Sequence, residues 1–194
     1  MAAFYFDVGG VLIPDQFAPD NAINVFRELG QRYRFNPDAA HSTYTKLQPS
    51  LDLGAISLAD LCAAMGIEQH AFERDWLAMH PLNKEVIKVI ERLLVDGHSV
   101  GLATNFCRRL LDSLIGSTRG LAAVVVCCSS DIGVTKPSTE FYRRASDMMG
   151  SNEVVFIDDR RVNVNAARSF GWTAIEAADG WLARFKDTYF THAP

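Results

Sequence analysis

The sequence lacks an uninterrupted apolar stretch long enough to span a bilayer, which takes roughly 20 residues. A membrane-spanning role is therefore not expected. It also lacks a basic excess: 19 Lys and Arg against 23 Asp and Glu leave a net charge of −4, which gives no support to a nucleic-acid partner. A small anionic ligand stays compatible with that balance, because a local site can be positive in an acidic protein. Cysteine is sparse. Cys62, Cys107 and the adjacent Cys127 and Cys128 match no zinc spacing and suggest no disulfide framework, so a reducing, cytoplasmic setting is expected. No Gly-x-Gly-x-x-Gly follows a strand, and neither a Walker-type Gly-Lys-Ser/Thr nor a His-Glu-x-x-His occurs, so the sequence signals for dinucleotide, P-loop and zincin chemistry are missing. There is no solenoid-period repeat and no low-complexity tract. The short apolar amino-terminal stretch has no basic n-region and no cleavage pattern, and reads as a strand rather than a signal peptide. Nothing fixes an oligomeric state.

What is present is organised around the first dozen residues. Phe4-Tyr5-Phe6-Asp7-Val8-Gly9-Gly10-Val11-Leu12 is an apolar run that meets one acid and then breaks at two glycines. Such a run reads as a buried strand, stopped by the glycine pair. Asp7 then sits at the carboxyl end of a buried strand, which is where ligands bind in open α/β sheets. A carboxylate there is costly to bury without a partner.

Residues 16–80 change character. Ile23, Val25, Phe26 and Leu29 mark one helix after Pro19-Asp20, and Asn36-Pro37-Asp38 opens a second. Gly54-Ala55-Ile56-Ser57 turns into a third, capped by Ser57, with Leu58, Leu61, Cys62 and Met65 inside and Gly66 as its stop. His70 to His80 forms a fourth. No strand is expected in this block. From Asn83 onward strands and helices alternate. Asn83 caps a helix with Val86, Ile87, Ile90, Leu93 and Leu94 inward. Strands are expected over 98–103, 122–127, 153–157 and 172–176, and helices over 107–115, 138–149, 162–170 and 181–189, with Phe141, Ala145 and Met148 inward on the second of these. Alternation of this kind builds βαβ units, and five strands joined by right-handed crossovers make a doubly wound parallel sheet.

The polar residues collect where those strands end. Thr104-Asn105 follow the second strand, Gly133-Val134-Thr135-Lys136-Pro137 follow the third and its loop, and Asp158-Asp159 follow the fourth. Together with Asp7 they fall on one edge of the sheet. Crowded carboxylates repel unless a divalent cation neutralises them, and oxygen-only ligands with few donors favour Mg²⁺, which fills its remaining positions with water and phosphate oxygens. Lys136 adds a fixed positive charge. Thr104 and Asn105 add a hydroxyl, an amide and backbone donors at the start of a helix, whose positive end suits an anion. The set describes a site for a phosphoryl group beside an aspartate nucleophile, with electrostatics as the main catalytic term.

The four stretches FDVGGVL, ATN, GVTKP and FIDDRRVN resemble, in order, the four motifs of the haloacid dehalogenase superfamily, and the resemblance covers nearly the whole chain. It is closest to the phosphatase-like members with a small helical cap (subfamily I). It implies a Rossmann-like catalytic core of residues 1–15 and 82–194 and a helical cap of residues 16–80. Carried over by position, Asp7 is the nucleophile that forms an aspartyl-phosphate and, with the carbonyl of Gly9, binds Mg²⁺. Asp159 is a direct metal ligand, and Asp158 lies in or just behind the metal's coordination sphere. Thr104, Asn105 and Lys136 hold the phosphoryl oxygens, Lys136 also offsets the charge of Asp7, and Asn163 orients an acid of the metal site. The implied substrate is a small phosphorylated metabolite.

One departure matters. The phosphatases of this superfamily carry a second Asp two residues after the nucleophile, which protonates the leaving oxygen and then activates water. Here that position is Gly9. General acid–base help is worth about 10²–10⁴-fold, so three readings follow. The substrate has a leaving group that needs little protonation, as in anomeric sugar phosphates, acyl phosphates or aryl phosphates. Alternatively, another group, such as one from the cap, supplies the proton. In the third reading the protein has lost catalysis and binds a phosphorylated ligand. The 2-haloacid dehalogenases of the superfamily also lack the second Asp, but they use no metal, and the acidic pair would be wasted in them.

Other residues carry a plainer expectation. Asp15 and Asp20 read as solvated turn acids. His70 and His80 read as surface or packing residues, although a cap histidine has a suitable pKa for proton transfer. Arg160 and Arg161 read as helix-surface charges, Cys107 as a small apolar residue near the site, and Trp76, Trp172 and Trp181 as packing residues.

Overall fold

The computed structural model describes residues 2–13, 19–116 and 118–190. Five strands, β1 (Ala3–Phe6), β2 (Ser99–Thr104), β3 (Val125–Cys128), β4 (Val154–Asp158) and β5 (Thr173–Glu176), form one parallel sheet in the order β3-β2-β1-β4-β5. The chain builds outward from β1 in one direction and then in the other. The strand order therefore reverses at the end of β1, the topological position at which open α/β sheets leave a crevice.

Alternation along β1 explains the two layers, since successive side chains of a strand point to opposite faces. Phe4 and Phe6 join a core that includes Val86, Ile90 and Leu93 of α5 (Lys84–Val95), Leu111 of α6 (Arg108–Gly116) and Phe185 of α10 (Trp181–Phe190). Tyr5 faces the other way, among Phe141 and Tyr142 of α8 (Thr139–Met149), Val164 and Ala167 of α9 (Arg161–Phe170), and Trp172. Tyr5 stacks on Trp172 with ring centroids 5.8 Å apart and donates its hydroxyl to the Ala145 carbonyl at 3.0 Å. Helices thus cover both faces of the sheet, as expected for a doubly wound fold.

Between β1 and α5 lie four helices: α1 (Pro19–Tyr33), α2 (Pro37–Asp52), α3 (Leu58–Met65) and α4 (Gln69–Met79). No strand occurs among the described residues of this block. Local chemistry sets its boundaries. The Asn36 side chain accepts from the Asp38 and Ala39 N–H groups, and Ser57 and Asp60 form a reciprocal capping box. Gly66 closes α3 in the left-handed conformation. Asn83 caps α5 in the same manner as Asn36 caps α2.

Some local expectations need correcting. Strand β3 starts at Val125 rather than Ala122, because a 3-10 turn over Arg119–Leu121 consumes the preceding residues. In α8, Phe141 and Ala145 are buried but Met148 is 46% exposed, and Tyr142 and Ser146 complete the inward face instead. In α5 the fully buried set is Val86, Val89, Ile90 and Leu93, with Ile87 and Leu94 at its margins. A one-turn helix, α7 (Ser129–Ile132), follows β3 and was not legible in the sequence. Asp15 and the side chain of Asp20 lie outside the described residues. No described helix is long and apolar enough to cross a membrane.

Candidate active site

Register explains why residues 151 positions apart meet. Phe6 pairs with Ile157 across β1 and β4, and with Leu102 across β1 and β2. Asp7 is therefore the next-door neighbour of Asp158, and its N–H donates to the Ile157 carbonyl at 2.8 Å. Thr104, at the end of β2, is buried on the opposite side. Asp7, Asp158 and Asp159 each offer a carboxylate oxygen within 4.8 Å of the others.

Lys136 lies between two of these acids. Its Nζ is 2.9 Å from Asp7 Oδ2 and 2.5 Å from Asp158 Oδ2, and 5.2 Å from the centroid of the Phe156 ring. All three charged groups are buried. Burial pushes the Asp7 carboxyl up from its ordinary range; the Lys136 ammonium pulls it back only in part, and the Asp158 charge adds to the rise. Burial also opposes ionisation of Asp158, but there Lys136, the Arg160 N–H and Asn163 prevail and hold the carboxyl low. Burial likewise works against the charge on Lys136, and the two acids outweigh it. The result is an ionised Asp158, a charged Lys136, and an Asp7 whose charge asks for a further cation.

The supporting residues divide the work. Asn163 Nδ2 reaches both oxygens of Asp158, at 3.0 and 3.1 Å, and the Arg160 N–H donates to Asp158 Oδ1 at 2.8 Å. Asp158 is thereby enclosed behind the cavity wall, whereas Asp7 and Asp159 line the cavity itself. Asn105 places its side chain on a different task from the expected phosphate contact. Its Nδ2 donates to the Lys136 carbonyl at 2.9 Å, and its Oδ1 accepts from the Lys136 N–H at 2.7 Å. The Asn105 side chain so fixes the lysine loop, and its backbone is what remains for an anion.

The glycine pair is explained position by position. Gly10 has φ +68°, and a Cβ there would fall 2.3 Å from Asp159 Oδ2, so only glycine lets that acid approach. Beside Gly9 the space is open: a Cβ would meet nothing within 4 Å. Both the donor set and its setting fit a hard divalent cation, since the ligands are oxygens only and the charge of Asp7 is only partly offset by Lys136.

The cavity above these residues holds about 350 Å³. Its polar lining includes Thr104, Asn105, Lys136, Asp159 and Asn163. Its lining also includes the apolar or aromatic side chains of Ile13, Tyr44, Leu51, Phe72, Trp76 and Phe106. Tyr44, Leu51, Phe72 and Trp76 come from the helical block. So does Asp52, the last residue of α2, whose position the sequence did not reveal. Burial pushes the Asp52 carboxyl up to about 7, offset in part by Arg160. None of the block's three histidines lines the cavity: His41 packs against Phe26, His70 is exposed, and His80 is buried against Trp76 with ring centroids 4.2 Å apart. Arg161 pairs with Glu176 on the surface, as expected, whereas Arg160 lines the cavity. Cys107 also lines it, and burial pushes its thiol up, which makes it a small apolar wall rather than a nucleophile. Trp172 and Trp181 are packing residues, but Trp76 packs and lines the cavity at once.

A parallel α/β sheet with acids from neighbouring strand ends, a buried lysine between them and a cavity at the switch point defines the ligand-binding crevice of a doubly wound α/β protein. A family profile described as haloacid dehalogenase-like hydrolase matches residues 1–171, and the chain belongs to that family. No curated protein matches it. Among solved structures it is similar to a HAD family enzyme of Bacteroides thetaiotaomicron in complex with magnesium and inorganic phosphate, at 19% identity, covering 95% of this chain and 99% of that one, with a TM-score of 0.72. It is also similar to a HAD phosphatase of Thermococcus onnurineus, at 16% identity, covering 97% of each chain, with a TM-score of 0.66. L-2-haloacid dehalogenase of Xanthobacter autotrophicus, solved with chloropropionic acid covalently bound, matches at 16% identity over 100% of this chain and 85% of that one, with a TM-score of 0.60. At these identities the likeness establishes the fold.

Proposed function

We propose that the protein is a Mg²⁺-dependent hydrolase of small phosphate esters that works through an aspartyl-phosphate on Asp7. The observation that carries the reading is the convergence of Asp7, Asp158 and Asp159 within 4.8 Å beside Lys136. A dehalogenase acting without metal has no use for a third carboxylate there, and the magnesium and phosphate bound by the Bacteroides thetaiotaomicron enzyme support the same choice. Asp7, Asp159 and the Gly9 carbonyl would hold the cation, with Asp158 fixed behind them by Asn163. The ion would neutralise the acids and draw charge from the phosphoryl group. Lys136, Thr104 and the backbone at Asn105 would bind the phosphoryl oxygens.

Residues 16–80 would act as a cap that closes the cavity, excludes water and selects the substrate. Its contribution to the wall is mainly apolar, through Tyr44, Leu51, Phe72 and Trp76. Hydroxyls buried against such a surface without partners are costly, so the reading favours a leaving group with an apolar body over a bare sugar. The test is turnover of p-nitrophenyl phosphate and acetyl phosphate with and without Mg²⁺, by the wild type and by Asp7→Asn. Loss of turnover in Asp7→Asn is expected. Undiminished turnover there would remove Asp7 as the nucleophile, and none in the wild type with Mg²⁺ would leave a binding protein instead.

A further inference from the structure

The site as built by the core has a nucleophile and charge stabilisation but no group to move a proton, because Gly9 has no side chain and the space beside it is open. The helical block faces that deficiency with a single acid on the cavity wall. Asp52 lines the same cavity as Asp7, Gly9 and Lys136. No hydrogen bond or ion pair engages its carboxyl among the described residues, whereas its backbone is firmly held. The Ser129 hydroxyl donates to the Asp52 carbonyl at 2.5 Å and accepts from the Phe106 N–H at 3.1 Å. Phe106 directly follows Thr104-Asn105, so one relay ties the acid of the block to the loop that would hold the phosphoryl group. Two residues on, Gly54 adopts φ +69° with its Cα so close to the Ser130 carbonyl that a Cβ would stand 2.1 Å from the oxygen. The end of α2 is therefore seated on α7.

On this geometry, we infer that Asp52 is the general acid and base of the reaction, replacing from the helical block the carboxyl that Gly9 removes from the core. The assignment rests on the phosphoryl-transfer reading above. In the first half-reaction an oxygen of Asp7 attacks phosphorus. The ester P–O bond breaks, its electron pair stays on the leaving oxygen, and protonated Asp52 gives that oxygen its proton. The alcohol departs and Asp52 is left ionised. In the second half-reaction a water oxygen attacks the same phosphorus and loses a proton to the Asp52 carboxylate. The bond from phosphorus to Asp7 breaks, its electron pair returns to Asp7, and inorganic phosphate leaves with Asp52 protonated again.

The environment suits a group that must both give and take a proton near neutrality. Burial raises the Asp52 carboxyl to about 7. Arg160, at the start of α9, opposes that rise, the Cys107 thiol ahead of α6 senses Asp52, and Asp7, Lys136 and Asp159 are charged groups of the same cavity. Asp52 also ends α2, where the negative pole of the helix disfavours a carboxylate. An acid at that pole is poorly placed for stability and well placed to hold its proton.

The experiment combines kinetics with a titration made without metal. Phosphate esters of graded leaving-group pKa are assayed with Mg²⁺ using wild type, Asp52→Asn, Asp7→Asn and Asp52→Asn combined with Gly9→Asp. The wild type should depend only weakly on the leaving group. Asp52→Asn should lose about 10²-fold or more in kcat on alkyl phosphates, far less on p-nitrophenyl phosphate, with KM little changed. Gly9→Asp should restore part of the loss. Equal losses on every ester, or a steep dependence already present in the wild type and unaltered in Asp52→Asn, overturn the assignment. Activity that survives Asp7→Asn condemns the phosphoryl-transfer reading itself. Independently, carboxyl-carbon NMR of the metal-free protein should show one resonance titrating near neutrality that is missing in Asp52→Asn. An Asp52 that titrates in the ordinary range near ~4 rules it out as the proton carrier whatever the kinetics show.

Discussion

Asn105 holds the peptide of Lys136 from both sides, donating to its carbonyl at 2.9 Å and accepting from its N–H at 2.7 Å. A side-chain amide does both at once, with its nitrogen as donor and its oxygen as acceptor. Asn105→Asp keeps the acceptor, loses the donor and adds a negative charge beside the site. The Lys136 carbonyl is left without its partner, which costs about 1–3 kcal/mol when buried. The urea midpoint should fall accordingly, and binding of inorganic phosphate in the presence of Mg²⁺ should weaken. An unchanged midpoint would mean that the lysine loop is fixed by something other than this grip.

Lys136→Met removes the cation that two buried acids share. Breaking a buried ion pair on one side leaves the other charge uncompensated, typically at about 3–5 kcal/mol. That cost should be largest above the carboxyl range and should shrink at low pH, where Asp7 takes up a proton. It should also shrink with Mg²⁺, which would offset the same charges. Urea melts at pH 5 and pH 8, with and without the cation, check all three expectations. A destabilisation indifferent to pH would point to lost packing against Phe156 rather than lost charge.

Much of this was legible because it is written locally. An apolar run, one acid and two glycines mark β1 and Asp7. Asn83, Ser57 and Gly66 mark helix boundaries through their own short-range hydrogen bonds. Once strands are placed, the register of a parallel sheet brings Asp7 and Asp158 together. What escaped depends on contacts between distant segments. The grip of the Asn105 side chain on Lys136 spans 31 residues and leaves no local signal. Asp52 and Ser129 are 77 positions apart and meet only when α2 seats on α7. A faint local signal for Asp52 did exist, an acid with no basic partner in the last turn of a helix. Met148 followed the stripe of Phe141 and Ala145, but the inward face of α8 is Phe141, Tyr142, Ala145 and Ser146, and Met148 near its end is exposed.

The two neighbouring glycines should respond in opposite ways. Gly9→Asp meets no atom within 4 Å of its Cβ and needs no left-handed backbone, so with Mg²⁺ present to offset the added charge its thermal midpoint should stay close to the wild type. Gly10→Ala requires φ +68° and drives a methyl to 2.3 Å from Asp159 Oδ2. Asp159 must then shift, and Mg²⁺ affinity should drop by about 10–100-fold, the usual effect of displacing a group that positions a metal ligand. Calorimetric titration of both variants makes the comparison. Equal affinities would remove Asp159 from the proposed cation site.

Asp52 also predicts how stability should change with pH in the metal-free protein. Its carboxyl has an ordinary value of 3.8 and a folded value of about 7. Below the lower value both states hold the proton, and the term contributes fully. Between the two, the folded state keeps a proton that the unfolded state has released. The slope of unfolding free energy with pH is then negative, and stability is lost as pH rises toward 7. Asp7, also raised, acts in the same direction, whereas Asp158 and Glu140, both lowered, act in the other. A single melting curve mixes these contributions, but the difference between wild type and Asp52→Asn isolates one. Relative to wild type, Asp52→Asn should gain stability steadily from pH 4 to pH 7.5, as judged by urea midpoints in the presence of a chelator. Two parallel curves would show that Asp52 ionises freely in the folded protein, and an acid that ionises freely has no proton to give a leaving group at neutral pH.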